Sequence, residues 1–227
     1  MRRPRAAAGT AVRGSHITQH EGGAVIALID AGGANLGSVR NALERLGASV
    51  RIVRDAGELR DASATIVPGV GAAGPAMRLL RERGFTTVLR AMDRPMLGIC
   101  LGMQLLFEAS EEQDTECLGL LPGVVRPLPP SAGIRVPHIG WNELDVRCAD
   151  PILAGVAPGA RAYFVHGYAA PVTDACIATA THGTSFAAVV RRGSIWGTQF
   201  HPERSAAVGA SILRNFLARA NANREAA

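Results

Sequence analysis

Lysine is missing altogether from this 227-residue chain: all 24 basic side chains are arginine. Replacing one cation by the other throughout points to compositional bias more than to chemistry. Aromatic residues are scarce at 4%, so small aliphatic side chains must fill most of the core, and the 48% apolar content is enough to do so. Charge is also sparse: 19% of residues are charged, below the roughly 25% usual in globular domains. That excludes a charge-rich disordered chain. The net charge of +5 forms no basic stripe, because arginines cluster only at Arg2, Arg3, Arg5 and Arg13. Elsewhere they alternate with Asp and Glu, the pattern of a solvated surface, so no nucleic-acid partner is expected.

No apolar run approaches the length of a membrane span, so no membrane partner is expected either. Cys100, Cys117, Cys148 and Cys176 form neither a CxxC pair nor a zinc-like spacing with histidine. Scattered cysteines of this kind fit free thiols in a reducing compartment, hence a cytoplasmic location. Within residues 1–23, Arg13 interrupts an apolar stretch that has no large aliphatics. The segment therefore reads as a disordered basic extension rather than a secretion signal. One α/β domain is expected over 24–220, followed by a flexible tail at 221–227.

A continuous apolar run predicts a strand covered on both faces at Ala24–Asp30, followed by short strands at Ser49–Val53 and Ala64–Val67 and a buried one at Met96–Ile99. Between them, helical patterns cover Asn35–Leu46, stopped by Gly47, Ala72–Arg83, closed by Gly84, and Leu101–Glu108. Alternating strands and helices imply an α/β fold with a mostly parallel sheet flanked by helices. Beyond Glu116, Pro122, Pro127, Pro129, Pro130 and Pro137 forbid long helices, so a smaller region of loops and short antiparallel strands is expected. Strands return at Arg161–Val165, Cys176–Ala180, Ala187–Arg191 and Ile195–Phe200, and a last helix covers Ala207–Ala220. The first turn, Gly32-Gly33-Ala34-Asn35-Leu36-Gly37, follows a strand as a dinucleotide fingerprint would. It has alanine where GxGxxG requires the second glycine, so no nucleotide is assigned.

The chemistry gathers at two places. In Gly98-Ile99-Cys100-Leu101-Gly102 a buried strand ends, a cysteine occupies the turn and a helix begins at once. Small flanking residues permit the sharp turn that projects a nucleophile into a cleft, and the helix start behind Cys100 favours the thiolate. The alternative is a buried structural cysteine. In Gln199-Phe200-His201-Pro202-Glu203, the imidazole and the carboxylate are two residues apart at a strand end. Extended backbone puts them on one face, where the carboxylate can hold the imidazole in one tautomer.

Gly98 to Gln104 together with Gln199 to Glu203 resembles the class I glutamine amidotransferases, over roughly Val25 to Leu217. The resemblance implies their flavodoxin-like fold and their triad, with Cys100 as nucleophile and His201 and Glu203 completing it. Glutamine is then the substrate, and no metal or cofactor is called for. Pro68-Gly69-Val70-Gly71 stands where the family places its oxyanion loop, so Gly71 and Leu101 are the expected oxyanion donors. Gly69, Gln104, Gly167 and Tyr168 are expected to hold the substrate. Gly167 departs from the family, which commonly has a small hydroxyl residue there.

Further stretches, Pro137-His138-Ile139-Gly140-Trp141-Asn142, Tyr163-Phe164-Val165-His166 and Glu203-Arg204-Ser205, resemble the glutaminase subunits of imidazole glycerol phosphate synthases. That likeness implies a partner, a (β/α)₈-barrel synthase subunit, which receives ammonia across Pro137, His138, Gly140, Trp141, Asn142, Tyr163 and Arg204. Trp141 could instead be core. Three other readings stand beside this one: a glutaminase of another pathway, a stand-alone thiol hydrolase, and a non-catalytic binding module.

Overall fold

The computed structural model describes residues 24–32 and 35–225. The expectation for 1–23 lies outside the described residues, as do Gly33 and Ala34 of the first turn. The first half runs β1 (Val25–Ile29), α1 (Leu36–Arg45), β2 (Ser49–Val53), β3 (Ala64–Gly69), α2 (Ala73–Glu82), α3 (Phe85–Arg90), β4 (Met96–Cys100) and α4 (Leu101–Gln104). Short strands follow: β5 (Ala109–Ser110), β6 (Thr115–Glu116), β7 (Val124–Pro127), β8 (His138–Glu143) and β9 (Asp145–Val146). Then come β10 (Arg161–His166), β11 (Tyr168–Ala169), β12 (Cys176–His182), β13 (Thr184–Arg192), β14 (Ile195–Thr198) and α5 (Ala206–Glu225).

The main sheet has the order β2-β1-β3-β4-β14-β13-β12-β9. Its first five strands are parallel, and β13, β12 and β9 join antiparallel. Strand alternation divides the core in two. Ile26 and Leu28 of β1 meet Val39 and Leu43 of α1 and Ile212, Leu213 and Phe216 of α5 on one face. Ala27 and Ile29 meet Met77 and Leu80 of α2 and Phe85 and Leu89 of α3 on the other. Because both faces are covered, β3 and β4 are buried at every position, which is why they read as unbroken apolar runs.

Four differences from the expected elements have local causes. The helix after Cys100 ends at Gln104 rather than Glu108. The carbonyls of Leu105, Leu106 and Phe107 accept instead from the N–H groups of Leu118, Leu120, Leu121 and Gly119, so the chain folds back on itself. Gly84 closes one helix but also opens α3, from a left-handed φ of 73°. The β-branched Thr86, Thr87 and Val88 hid α3 from sequence reading. β5 and β7 pair parallel, although only antiparallel pairing was expected in this stretch. Finally, α5 continues to Glu225, correcting the expectation of a tail from residue 221, and Asn221 accepts from the Ala24 N–H at 3.2 Å.

α4 is seated on backbone. A Cβ on Gly102 would lie 1.8 Å from the Val67 carbonyl oxygen, and one on Gly98 would lie 2.7 Å from Met103 Cα. A Cβ on Gly69 would lie 2.7 Å from Gly102 N, and one on Gly197 2.6 Å from Met103 Cγ. These glycines come from β3, β4, α4 and β14, the strands whose carboxyl ends surround Cys100 and the helix that follows it. Arginines secure the loops around this frame. Arg94 donates to the carbonyls of Leu59, Arg60 and Ala62, Arg90 to those of Cys117 and Leu118, Arg83 to that of Asp30 and Arg192 to that of Leu120.

Gly102→Ala should therefore destabilise the fold by more than about 2 kcal/mol, because the clash is with fixed backbone. Gly37→Ala, in an exposed turn of α1 with nothing within 4 Å of the added carbon, should be neutral or stabilise by up to about 1 kcal/mol. Urea denaturation of both variants measures the contrast.

Candidate active site

Parallel strands present their carboxyl ends along one edge, and that edge is where open α/β sheets bind ligands. β3 ends at Gly69 beside Cys100 at the end of β4, and β14 ends at Thr198, three residues before His201. Cys100 sits at φ 53° and ψ −112°, a strained conformation for a non-glycine residue and the mark of a nucleophile elbow. His201 is anchored to β10: its N–H donates to the Tyr163 carbonyl at 3.0 Å, and its carbonyl accepts from Ser205 Oγ at 2.7 Å. Ser205 Oγ in turn accepts from the Tyr163 N–H at 2.9 Å.

The imidazole Nδ1 of His201 lies 2.8 Å from Glu203 Oε1, with both side chains buried. Pro202, Glu203 and Arg204 form a 3-10 turn rather than extended chain. The expected pairing thus survives by a different backbone route. Asn35, at the start of α1, donates from Nδ2 to the same Glu203 oxygen. Its 3.3 Å approach to His201 Nδ1 is a contact between two donors, because that nitrogen carries its proton toward Glu203. Burial opposes a charged imidazole here, but hydrogen bonding to Cys100 and Glu203 and their charges override it. Together they raise the His201 pKa from 6.5 to about 10.

One cavity, about 170 Å³ in volume, is lined by Val70, Gly71, Cys100, Leu101, Gln104, Glu112, Val165, His166, Gly167, Tyr168 and His201. It is several times the roughly 30 Å³ share of one water and smaller than the roughly 300 Å³ at which drug-sized pockets begin. An amino-acid-sized molecule suits it. Of the residues singled out from sequence, Cys100, His201, Gly71, Leu101, Gln104, Gly167 and Tyr168 meet there. Glu203 stands behind His201, as an orienting carboxylate must. Gly69 is not among the residues lining this cavity; a Cβ there would meet Leu101 and Gly102, so its bare Cα is needed where α4 approaches. Glu112 was missed: its carboxylate caps α2 by accepting from the Ala73 N–H at 2.8 Å and faces the same cavity. Nothing in the local sequence distinguishes it from Glu108 and Glu111.

The expected partner face divides. Trp141 is 46% exposed, which removes the core reading of it, and it packs edge-to-face on Tyr163 at 5.9 Å. It pairs with Tyr163 across the β8–β10 ribbon, as Ile139 pairs with Val165, and Ile139 is 62% exposed. Pro137 and Arg204 are exposed, and Gly140, Asn142 and Tyr163 are half-buried. His138 is the exception. It is buried, stacked on His182 at 4.0 Å and 3.1 Å from His166, so it is an interior residue rather than a contact one. Burial first, then the neighbouring His182, lowers its pKa to about 4, and burial chiefly lowers that of His166 to about 3. Both rings are neutral near neutral pH.

The folded-state value for His201 lies above the ordinary one. Its stabilising charge is therefore complete below about pH 6.5 and is lost as pH rises through about 10. A nuclear magnetic resonance titration should find this ring still protonated across the neutral range, changing only toward pH 10. Cys100→Ala removes one source of the shift and should move the transition down. A transition near 6.5 in the unaltered protein would contradict the geometry.

The profile of the family described as "Glutamine amidotransferase class-I" matches residues 27–220. Similar proteins include the imidazole glycerol phosphate synthase subunit HisH of Xanthomonas euvesicatoria pv. vesicatoria, 62% identical over 85% of this chain and 96% of that one. The subunit of the same name from Xylella fastidiosa is 59% identical over the same shares. Among solved structures, the crystal structure of a glutamine amidotransferase superposes with a TM-score of 0.67 at 23% identity, covering 86% of this chain and 98% of that one. That likeness bears on the fold alone. With the elbow, the His–Glu pair and the matched span in agreement, the chain belongs to the class I glutamine amidotransferase family.

Proposed function

We propose that the chain is the glutaminase subunit of an imidazole glycerol phosphate synthase of histidine biosynthesis. It releases ammonia from glutamine in the cytoplasm and passes it to a (β/α)₈-barrel synthase subunit. There the ammonia completes imidazole glycerol phosphate and releases an aminoimidazole carboxamide ribotide. The observation that carries the reading is the strained Cys100 meeting the His201–Glu203 pair in an amino-acid-sized cavity. The Xanthomonas and Xylella relatives, which bear this subunit's name along nearly their whole length, support the choice of pathway.

In this mechanism the Cys100 thiolate attacks the side-chain amide carbon of glutamine. Gly71 and Leu101 line the cavity beside the sulfur, and their N–H groups take the developing oxyanion. His201, held protonated, gives its proton to the departing ammonia, leaving a thioester, and then draws a proton from the water that hydrolyses it to glutamate. Glu203 keeps the imidazole in register, and Asn35 holds Glu203. The Glu112 carboxylate suits the substrate's α-ammonium. The backbone at Gly167 and Tyr168 borders the same end, and Gln104 contributes through its amide carbonyl because both its N–H groups are already bonded. A second cavity, lined by Asn35, Ser38, Val70, Val165, His201 and Arg204, shares Val70, Val165 and His201 with the first and suits ammonia leaving toward the partner.

The partner face is the apolar ribbon of Ile139, Trp141, Tyr163 and Val165, with Arg204 and Pro137 beside it. Exposed apolar groups collected next to a catalytic cavity fit docking better than a stand-alone hydrolase.

Cys100→Ser should abolish glutamine-dependent synthesis by the reconstituted complex while synthesis from added ammonium salt continues, because the nucleophile serves the glutaminase half alone. Loss of both in a folded, partner-bound variant would contradict the division of labour. Trp141→Ala should weaken the complex by roughly 2 kcal/mol or more in titration calorimetry and leave the isolated chain's melting temperature close to that of its parent.

A further inference from the structure

Gln199 is fully buried and its amide lies between Cys100 and Gln104, yet the chemistry above gives it no task. Its surroundings fix which way its amide points. The Tyr168 carbonyl can only accept, so the Gln104 atom 2.8 Å from it is the amide nitrogen. That nitrogen has a second proton and lies 3.0 Å from the Gln199 side chain, which must therefore present its oxygen, Oε1. The other end of the Gln199 amide, Nε2, is then left facing Cys100 Sγ at 3.8 Å, within range of an N–H to sulfur hydrogen bond.

We propose that Gln199 is a positioning residue for the nucleophile, aiming an N–H at the Cys100 sulfur in an orientation set by Gln104 and, through it, by the Tyr168 carbonyl. The effect differs between the two forms of the sulfur. As a thiol, Cys100 donates to the Val165 carbonyl at 3.7 Å. As a thiolate it has no proton to give, and that carbonyl faces a negative charge. The Gln199 N–H, by contrast, binds an anion more strongly than a neutral acceptor. The Gln199 N–H therefore favours the reactive form, against the Val165 carbonyl, and holds the sulfur in the cavity. Because Gln104 also lines the cavity, the same two amides connect the substrate's seat to the nucleophile.

The inference rests on Cys100 being the nucleophile, but its test needs no glutamine. Iodoacetamide alkylates a thiolate directly, and peptide mass spectrometry separates Cys100 from the exposed Cys148, which serves as an internal control. In the full chain, Gln199→Met keeps the volume and removes the donor. It should slow alkylation of Cys100 by about ten-fold and leave Cys148 unchanged. In the complex it should lower kcat for glutamine with little change in KM. Gln104→Met removes no hydrogen bond to the Cys100 sulfur but frees the Gln199 amide to turn, and it should slow Cys100 alkylation several-fold. Parental alkylation rates in a folded Gln199→Met protein, or a raised KM with unchanged kcat, would overturn the proposal. If Gln199→Met fails to fold, a parental rate in Gln104→Met overturns it instead. Rapid alkylation of Cys100 in an unaltered chain whose complex with the synthase subunit releases no ammonia from glutamine would defeat the glutaminase reading and leave the relay standing.

Discussion

α4 approaches its supporting strands backbone to backbone, and the catalytic geometry depends on that approach. With glycine at 69, 98, 102 and 197, the turn after Cys100 settles directly onto strand backbone. A methyl group at 69, 98 or 102 would meet backbone and lift α4, and with it the sulfur, the Leu101 N–H and Gln104; at 197 it would displace the Met103 side chain. The strain at Cys100 is borne by this packing, since a left-handed non-glycine residue persists only where its surroundings over-determine it. His201 is brought up separately, through backbone bonds to β10, and so the pair assembles only if the parallel sheet and the β8–β10 ribbon are both in place.

Much of this was legible in the sequence, for reasons that differ by region. Strands buried on both faces leave apolar runs, and β1 and β4 were found within a residue of their ends; the edge strand β2 was found as well, although its residues are only partly covered. Helix α1 announced its end through Gly47, which takes a φ of 85°. The elbow and the His–Pro–Glu run were legible because catalysis fixes residue type and spacing together. What stayed hidden was decided by tertiary contacts. The early end of α4 depends on carbonyls claimed by Leu118–Leu121, fourteen or so residues away in sequence. Asn35 reads as an ordinary helix start, and its bond to Glu203 exists only because α1 passes the 3-10 turn that follows His201. His138 stood in a stretch rich in interface residue types, and alternation along β8 turned it inward while Ile139 and Trp141 turned out.

The same alternation explains how one ribbon serves two purposes. Its inner side supplies His138, Phe164 and His166 to an aromatic cluster, with His166 reaching the catalytic cavity. Its outer side displays Ile139, Trp141, Tyr163 and Val165. A load applied to the outer face is carried by a two-stranded element whose backbone already touches the catalytic pair: Cys100 donates to the Val165 carbonyl, and Tyr163 holds His201.

The loops and the catalytic centre are held by different means. Arg83, Arg90, Arg94 and Arg192 reach loop carbonyls, so each tie needs one guanidinium and the course of the opposite backbone, whatever side chain that backbone carries. At the centre the bonds run side chain to side chain, from His201 to Glu203 and from Asn35 to Glu203. Loop residues opposite an arginine can therefore change type without loosening the scaffold, whereas the centre has no such latitude.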